Sequence, residues 1–145
     1  MKKRIIAVFL AFVLVIPLVP FSASAEDEVT SEPRASYYLD KYNASLYSKG
    51  ISGKLQLTFE VIATGYMTQV GVAGIIVRNN DGTIHRIIWG TTSNGLLDTN
   101  AWFNIGSYTL NLTSGNTYYC SVIVIAKDAN GSDSRTITTQ HITCP

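Results

Sequence analysis

The sequence predicts an all-β fold built as a two-layered sandwich, and three observations carry that prediction. From Ser36 onward, apolar residues recur at every second position, the spacing of a strand with one buried face. Clusters of Gly, Asn, Asp and Ser interrupt them about every ten residues, the rhythm of turns in a sandwich or barrel. No stretch of the same region holds the i, i+3, i+4 spacing of an amphipathic helix.

Seven segments qualify as strands of an antiparallel β-sandwich. The first, Ser36–Ser48, is rich in tyrosine. In the second, Lys54–Ala63, Leu55, Leu57, Phe59 and Val61 alternate with Gln56, Thr58 and Glu60, so one face meets a core and the other meets water. The third, Gln69–Arg78, runs into Asn79-Asn80-Asp81-Gly82, and the fourth, Thr83–Trp89, follows at once; the Asp-Gly pair predicts a hairpin. Gly90–Ala101, with Asn94-Gly95 inside it, reads as a long connection. Trp102–Leu112, Thr117–Lys127 and Ser134–Thr143 complete the set, the last two joined through Asp128–Asp133.

The first 35 residues have a different character. Lys2, Lys3 and Arg4 precede an uncharged apolar run from Ile5 to Phe21, which Pro17 and Pro20 break, and Ser22-Ala23-Ser24-Ala25 follows. A basic start, an apolar middle and a small-residue exit are the three parts of a secretory signal peptide, here residues 1–25. The run is too short and too broken for a permanent membrane helix, so the chain is expected to leave the membrane once the leader is cut. Residues 26–35 (EDEVTSEPRA) are acidic and polar and read as a flexible tail ahead of a sandwich domain at 36–145. The expected location is secreted or extracellular, with non-covalent cell-wall association an option.

Charge narrows the function. The chain carries 11 Lys+Arg and 10 Asp+Glu. Three of the basic residues lie in the leader, so the mature chain is slightly acidic. That excludes the basic stripe of a nucleic-acid binder. Cys120 and Cys144 are the two cysteines, and an even count in an exported chain predicts one disulfide. A strain-free bridge closing this loop would contribute about 3–4 kcal/mol. Register is the open point. A two-residue Asn130-Gly131 turn sets Cys120 opposite His141, whereas a bulge or three-residue loop brings both cysteines to one face.

Catalytic groups are sparse. His85 and His141 lie on separate strands, and no G-x-S-x-G elbow is present. Asp40, Glu60, Asp81, Asp98, Asp128 and Asp133 are mostly turn residues, where Asp bonds its own backbone. Asp128, Asn130, Ser132 and Asp133 alternate as calcium ligands would, but Gly131 and Thr139 depart from the EF-hand pattern. Asn43, Asn111 and Asn130 open glycosylation triplets in form only. The expectation is therefore a protein that is not an enzyme, with no catalytic residues, metal site or cofactor.

A resemblance emerges at Leu112-x-x-Gly115-x-x-Tyr118, followed by the alternating Cys120, Val122, Val124 and Ala126. This run resembles the E–F corner of fibronectin type III and immunoglobulin-like sandwiches, which implies that Tyr118 buries its ring and bonds back to the corner. The family's usual proline before Gly115 is missing. Tyr37-Tyr38-Leu39-Asp40, Ser45-Leu46, the Lys54–Val61 alternation and Gly131–Thr136 also resemble a group of small secreted proteins of unknown function from Gram-positive bacteria. That second likeness covers nearly the whole mature chain and implies no activity.

The feature with most functional content is the two-sided apolarity of the sixth strand. Cys120, Val122, Val124 and Ala126 take one face, and Tyr119, Ser121, Ile123 and Ile125 take the other. The third strand repeats it, with Val72 and Ile76 against Ala73, Ile75 and Val77. Something must cover the second face: the Tyr37/Tyr38/Tyr42/Tyr47 segment, the Gly90–Ala101 connection, or another chain. The candidate contact face is Tyr119, Ile123 and Ile125, with Trp89 and Ile137 beside them, and the candidate partner is an unidentified protein or a second copy. A different reading is a cell-wall glycan stacked on Trp89, Trp102 and Tyr108, set against Trp102 and Tyr108 being core residues.

Overall fold

The computed structural model describes residues 36–145. The expected leader (1–25) and tail (26–35) lie outside the described residues. Nine strands form among them: β1 (Leu39–Tyr47), β2 (Lys54–Met67), β3 (Gln69–Asn79), β4 (Ile84–Trp89), β5 (Leu97–Asp98), β6 (Ala101–Asn111), β7 (Thr117–Lys127), β8 (Ser132–Thr138) and β9 (Ile142–Thr143). No helix long and apolar enough to cross a membrane occurs among the described residues.

The strands sort into two antiparallel sheets, as in a β-sandwich. One has the order β1-β2-β6; the other has β4-β3-β7-β8, with β5 pairing with β3 and β9 with β7. Alternation is the cause. Leu55, Leu57, Phe59 and Val61 of β2 point to the same interior as Val70, Val72, Ile75 and Val77 of β3 and Val122, Val124 and Ala126 of β7, and all are buried in one apolar cluster. Full burial of each larger side chain contributes roughly 1.5–3 kcal/mol, so this cluster fixes which face of every strand turns inward.

Two expected elements change form. The seventh strand, read as Ser134–Thr143, is two strands: β8 leaves β7 after Thr138, and Thr139 to His141 break the ladder before β9 rejoins it. Gly90–Ala101 is not merely a connection, because Leu97 and Asp98 pair with Gly71 and Val70 of β3. Leu96, one position earlier, is fully buried. The Asn79–Thr83 turn closes the β3–β4 hairpin, with Asn79 N–H donating to Thr83 O at 2.9 Å.

The corner between β6 and β7 follows its sequence pattern. Tyr118 is fully buried, and its hydroxyl accepts from the backbone N–H of Thr113 at 3.4 Å. Gly115 takes the corner with φ +86°, a conformation that side chains disfavour, while its N–H donates to Cys144 O at 2.8 Å. Leu112 is half-buried against the core.

The tightest backbone approach lies where β4 ends. Gly90 N–H donates to Ala73 O at 2.9 Å, and a Cβ on Gly90 would stand 1.8 Å from the Val72 carbonyl oxygen. A Cβ on Gly65 meets nothing within 4 Å. Gly90→Ala is therefore expected to destabilise the domain by roughly 1–3 kcal/mol or more. Gly65→Ala should stay within about 0.5 kcal/mol. Urea unfolding followed by circular dichroism compares the two.

Candidate contact surface

The register assembles most of the expected face. Ile76 of β3 stands between Ile87 of β4 and Ser121 of β7; Gly74 stands between Trp89 and Ile123; Gly71 faces Ile125. Tyr119 pairs with Arg78. On β8, Ser134, Thr136 and Thr138 flank Ile125, Ile123 and Ser121. The outer face of the four-stranded layer thus carries an apolar strip from Ile87 and Trp89 through Ile76 to Ile123 and Ile125, edged by hydroxyls. Ile76, Ile123 and Ile125 stay partly exposed, and Trp89 is 68% exposed.

Trp89 is held flat by what lies beneath it. A Cβ on Gly74 would meet ring atoms of the indole at 3.4 and 3.5 Å, so the ring lies across a strand position that has no side chain. An aromatic over a strand glycine restores the packing the glycine lacks. The other ring face points to solvent.

Ile137 does not belong to this surface. It pairs with Val122, on the inner face, and packs against the core. The cause is the β7–β8 loop. Asp128 N–H donates to Gly131 O at 2.9 Å and Lys127 pairs with Ser132, so the loop spans four residues; a three-residue loop would have set Ile137 beside Ile123.

The expected disulfide is absent. Cys120 and Cys144 are free, buried thiols. Cys120 lies opposite Thr139, whose N–H donates to Cys120 O at 2.9 Å, whereas Cys144 N–H donates to Asn116 O at 2.8 Å. The two cysteines therefore sit four β7 positions apart, ~13 Å along the strand, against a Cα separation below about 7 Å for a bridge.

Neither intramolecular cover lies across the outer strip. β1, with Tyr42 and Tyr47, pairs with β2 in the other sheet; Tyr38 packs against the core and Tyr37 is exposed. The Gly90–Ala101 segment follows the edge of β3 and turns Leu96 inward.

The three candidate stacking rings are separate. Trp89 is on β4; Tyr108 pairs with Leu57 and packs half-buried against the core. Trp102 is 45% exposed, not a core residue, and meets Phe103 edge-on with centroids 4.9 Å apart. Phe103 and Ile105, which sequence reasoning misses, are 42% and 57% exposed. They are out of phase with the inward-facing Asn104 and Leu110, and that phase is the signal that could have found them.

The ionisable groups are tied to local structure. Asp128 accepts from the N–H groups of Asn130 and Gly131 at 2.7 and 3.0 Å. Asp133 accepts from the Ser36 hydroxyl at 2.6 Å and Tyr38 N–H at 2.9 Å, and the Ser36 bond leads in holding its carboxyl below the usual range. Asp81 is held low in the same way by the Thr83 hydroxyl. His141 Nδ1 lies 2.9 Å from Asn80 Oδ1, its ring stacked on Tyr119, and His85 meets Tyr118 edge-on. An open, polar cleft of about 350 Å³ lies at this end, lined by Asn79, Asn80, Asp81, Asn116 and Thr117; none of the stacking rings reaches it. No group of three or more His, Cys, Asp or Glu suited to a metal occurs among the described residues.

No protein-family profile and no curated protein matches the chain. Among solved structures, a family 76 glycoside hydrolase from a bovine Bacteroides thetaiotaomicron strain is similar at 17% identity and a TM-score of 0.42, over 72% of this chain. The match spans only 20% of the hydrolase. A Bordetella pertussis protein described as ApaA is similar at 13% identity and a TM-score of 0.46, over 74% of this chain and 95% of that one. Likenesses of this size say nothing about activity.

Burial raises both thiols, Cys120 to about 12 from an ordinary 9.0. The unfolded chain therefore loses its thiol protons first. The thiol contribution is whole below pH 9 and is lost as pH rises from 9 toward 12, at up to about 1.4 kcal/mol per unit for a fully protected thiol. A thiol reagent at pH 8 should label neither cysteine in the folded protein and both in denaturant. Chemical denaturation between pH 8 and 11 should show stability falling, and Cys120→Ala should flatten that slope.

Proposed function

We propose that this is an exported, non-catalytic contact module whose domain has an immunoglobulin or fibronectin type III-like plan. Strands β1, β2 and β6 lie in one layer and β4, β3, β7 and β8 in the other, which parallels the A-B-E and C′-C-F-G division of those sandwiches. The Tyr118 corner supports the same plan. Export rests on residues 1–25, and likeness to small secreted Gram-positive proteins is consistent with it.

The observation that carries the contact reading is the apolar strip Ile87–Trp89–Ile76–Ile123–Ile125, left uncovered by every described element. Apolar strips rimmed by hydroxyls are what protein contact sites present to water. A second copy of the chain is the simplest occupant. Trp89 is its natural anchor, because a large ring already seated on Gly74 loses little side-chain freedom when a partner covers it.

The second reading, a cell-wall glycan module, gains from the same ring. One indole face rests on the strand and the other is open, which is the geometry on which a sugar ring stacks.

The two readings separate on one set of variants. Self-association measured by sedimentation velocity should weaken at least ~tenfold in an Ile123→Asp/Ile125→Asp protein that keeps its circular dichroism spectrum. Retention on purified peptidoglycan should fail in Trp89→Ala if the glycan reading holds, and wild-type protein that is not retained disposes of it. Association indifferent to the paired Asp changes disposes of the strip as a self-contact.

A further inference from the structure

We propose that the β6 edge, on the other sheet and independent of the apolar strip, pairs antiparallel with β6 of a second copy to make one continuous six-stranded sheet. Backbone direction leaves that edge unsatisfied. Leu112 N–H donates to Gly53 O at 2.9 Å, and the β2–β6 register runs on from there with Lys54 opposite Asn111 and Leu55 opposite Leu110. In an antiparallel pair, directly opposed residues alternate between exchanging hydrogen bonds and not. Leu110, Tyr108, Gly106 and Asn104 therefore bond to β2. Phe103, Ile105, Ser107, Thr109 and Asn111 turn their N–H and C=O groups away from it, toward the open edge.

Among the described residues, no strand lies on that side of β6. Phe103, Ile105, Ser107, Thr109 and Asn111 are all exposed. Native sheets protect such edges with charges, prolines or bulges, and the other edge strands longer than two residues carry charges or bulges here. β8 has Asp133 and Arg135; β1 has Asp40, Lys41 and a register shift; β4 has Arg86 and a register shift. β6 is AWFNIGSYTLN, eleven residues without charge or proline, and its register with β2 is unbroken from Phe103 to Asn111.

The occupant is a second copy because the edge is its own complement. The five outward residues are symmetric about Ser107, so a twofold axis there pairs Ser107 with Ser107, Ile105 with Thr109 and Phe103 with Asn111. All five are then satisfied, with about ten new backbone hydrogen bonds. Every two-residue slip forfeits one residue pair, which singles out this register. No charged residue lies on either strand, so no like charges meet across the seam. On the outer face, β-branched side chains would meet hydroxyls across the seam, pairs of the kind that stabilise neighbouring strands.

Proline at an outward position gives a selective test, since it removes only a donor that β2 does not use. Sedimentation equilibrium of the Ile123→Asp/Ile125→Asp protein, whose outer strip is disabled, should show a monomer–dimer equilibrium through the β6 edge alone. Ser107→Pro and Ser107→Lys should each raise its dissociation constant at least ~tenfold, and Ser107→Thr should leave it unchanged. If Ser107→Pro fails to fold, Ser107→Lys and the wild-type amides still decide. The Ile105, Ser107 and Thr109 amides should exchange with solvent more slowly as protein concentration rises. A wild-type protein that stays monomeric at roughly millimolar concentration, or a dimer that tolerates both Ser107→Pro and Ser107→Lys, overturns the proposal. So does slow exchange at every dilution, which would mean that the chain's own residues cover the edge. A dimer broken by Ile123→Asp/Ile125→Asp but not by the Ser107 changes favours the outer strip and removes the edge.

Discussion

The central ladder between β3 and β7 is the constraint on which the other strands depend. Ten residues of each strand take part, and their inward side chains supply Val70, Val72, Ile75 and Val77 from one strand and Cys120, Val122, Val124 and Ala126 from the other. Because β7 is bonded on both sides and β3 carries both β4 and β5, any slip of one residue between them would turn a whole apolar set toward water. The second sheet is then positioned chiefly by packing, with Leu55, Leu57, Phe59 and Val61 closing over this ladder. It is pinned at its margins by hydrogen bonds such as Gln140 Nε2 to Leu46 O and Gly53 N–H to Pro145 O.

Much of that was legible in the residues. The alternation of Lys54–Val61, the Asn79–Gly82 turn and the two-sided β7 all gave strands where strands occur, and Tyr118 was marked by its spacing from Leu112. Hairpin length was not legible. The turn could centre on Ala129-Asn130 or on Asn130-Gly131, or hold an odd number of residues. Only a closure that sets Lys127 opposite Ser132, held by Asp128 accepting from Asn130 and Gly131 N–H, gives the observed register. That one loop decides that Ile137 faces the core and that Cys120 lies opposite Thr139.

The exposed surfaces were legible in part. Trp89, Ile123 and Ile125 followed from parity along strands whose inner faces were plain. Trp102, Phe103 and Ile105 were harder, because an aromatic in an apolar strand reads equally well as core until its phase is set against a residue of known direction. Leu110 opposite Leu55 supplies that phase, and it runs outward through every odd-numbered residue to Phe103. Sequence alone gives each strand its two faces, whereas pairing decides which face is inside.

The separation of the two thiols has a consequence for how the molecule matures. A body held by packing and ladders, with no covalent cross-link among its described residues, reaches its final form without an oxidant or an isomerase. The domain can thus close up in reducing and oxidising surroundings alike. The same economy means that its endurance in oxidising surroundings rests on the unbroken seal over Cys120 and Cys144, since a body that loosens would bare two sulfurs to oxygen at once.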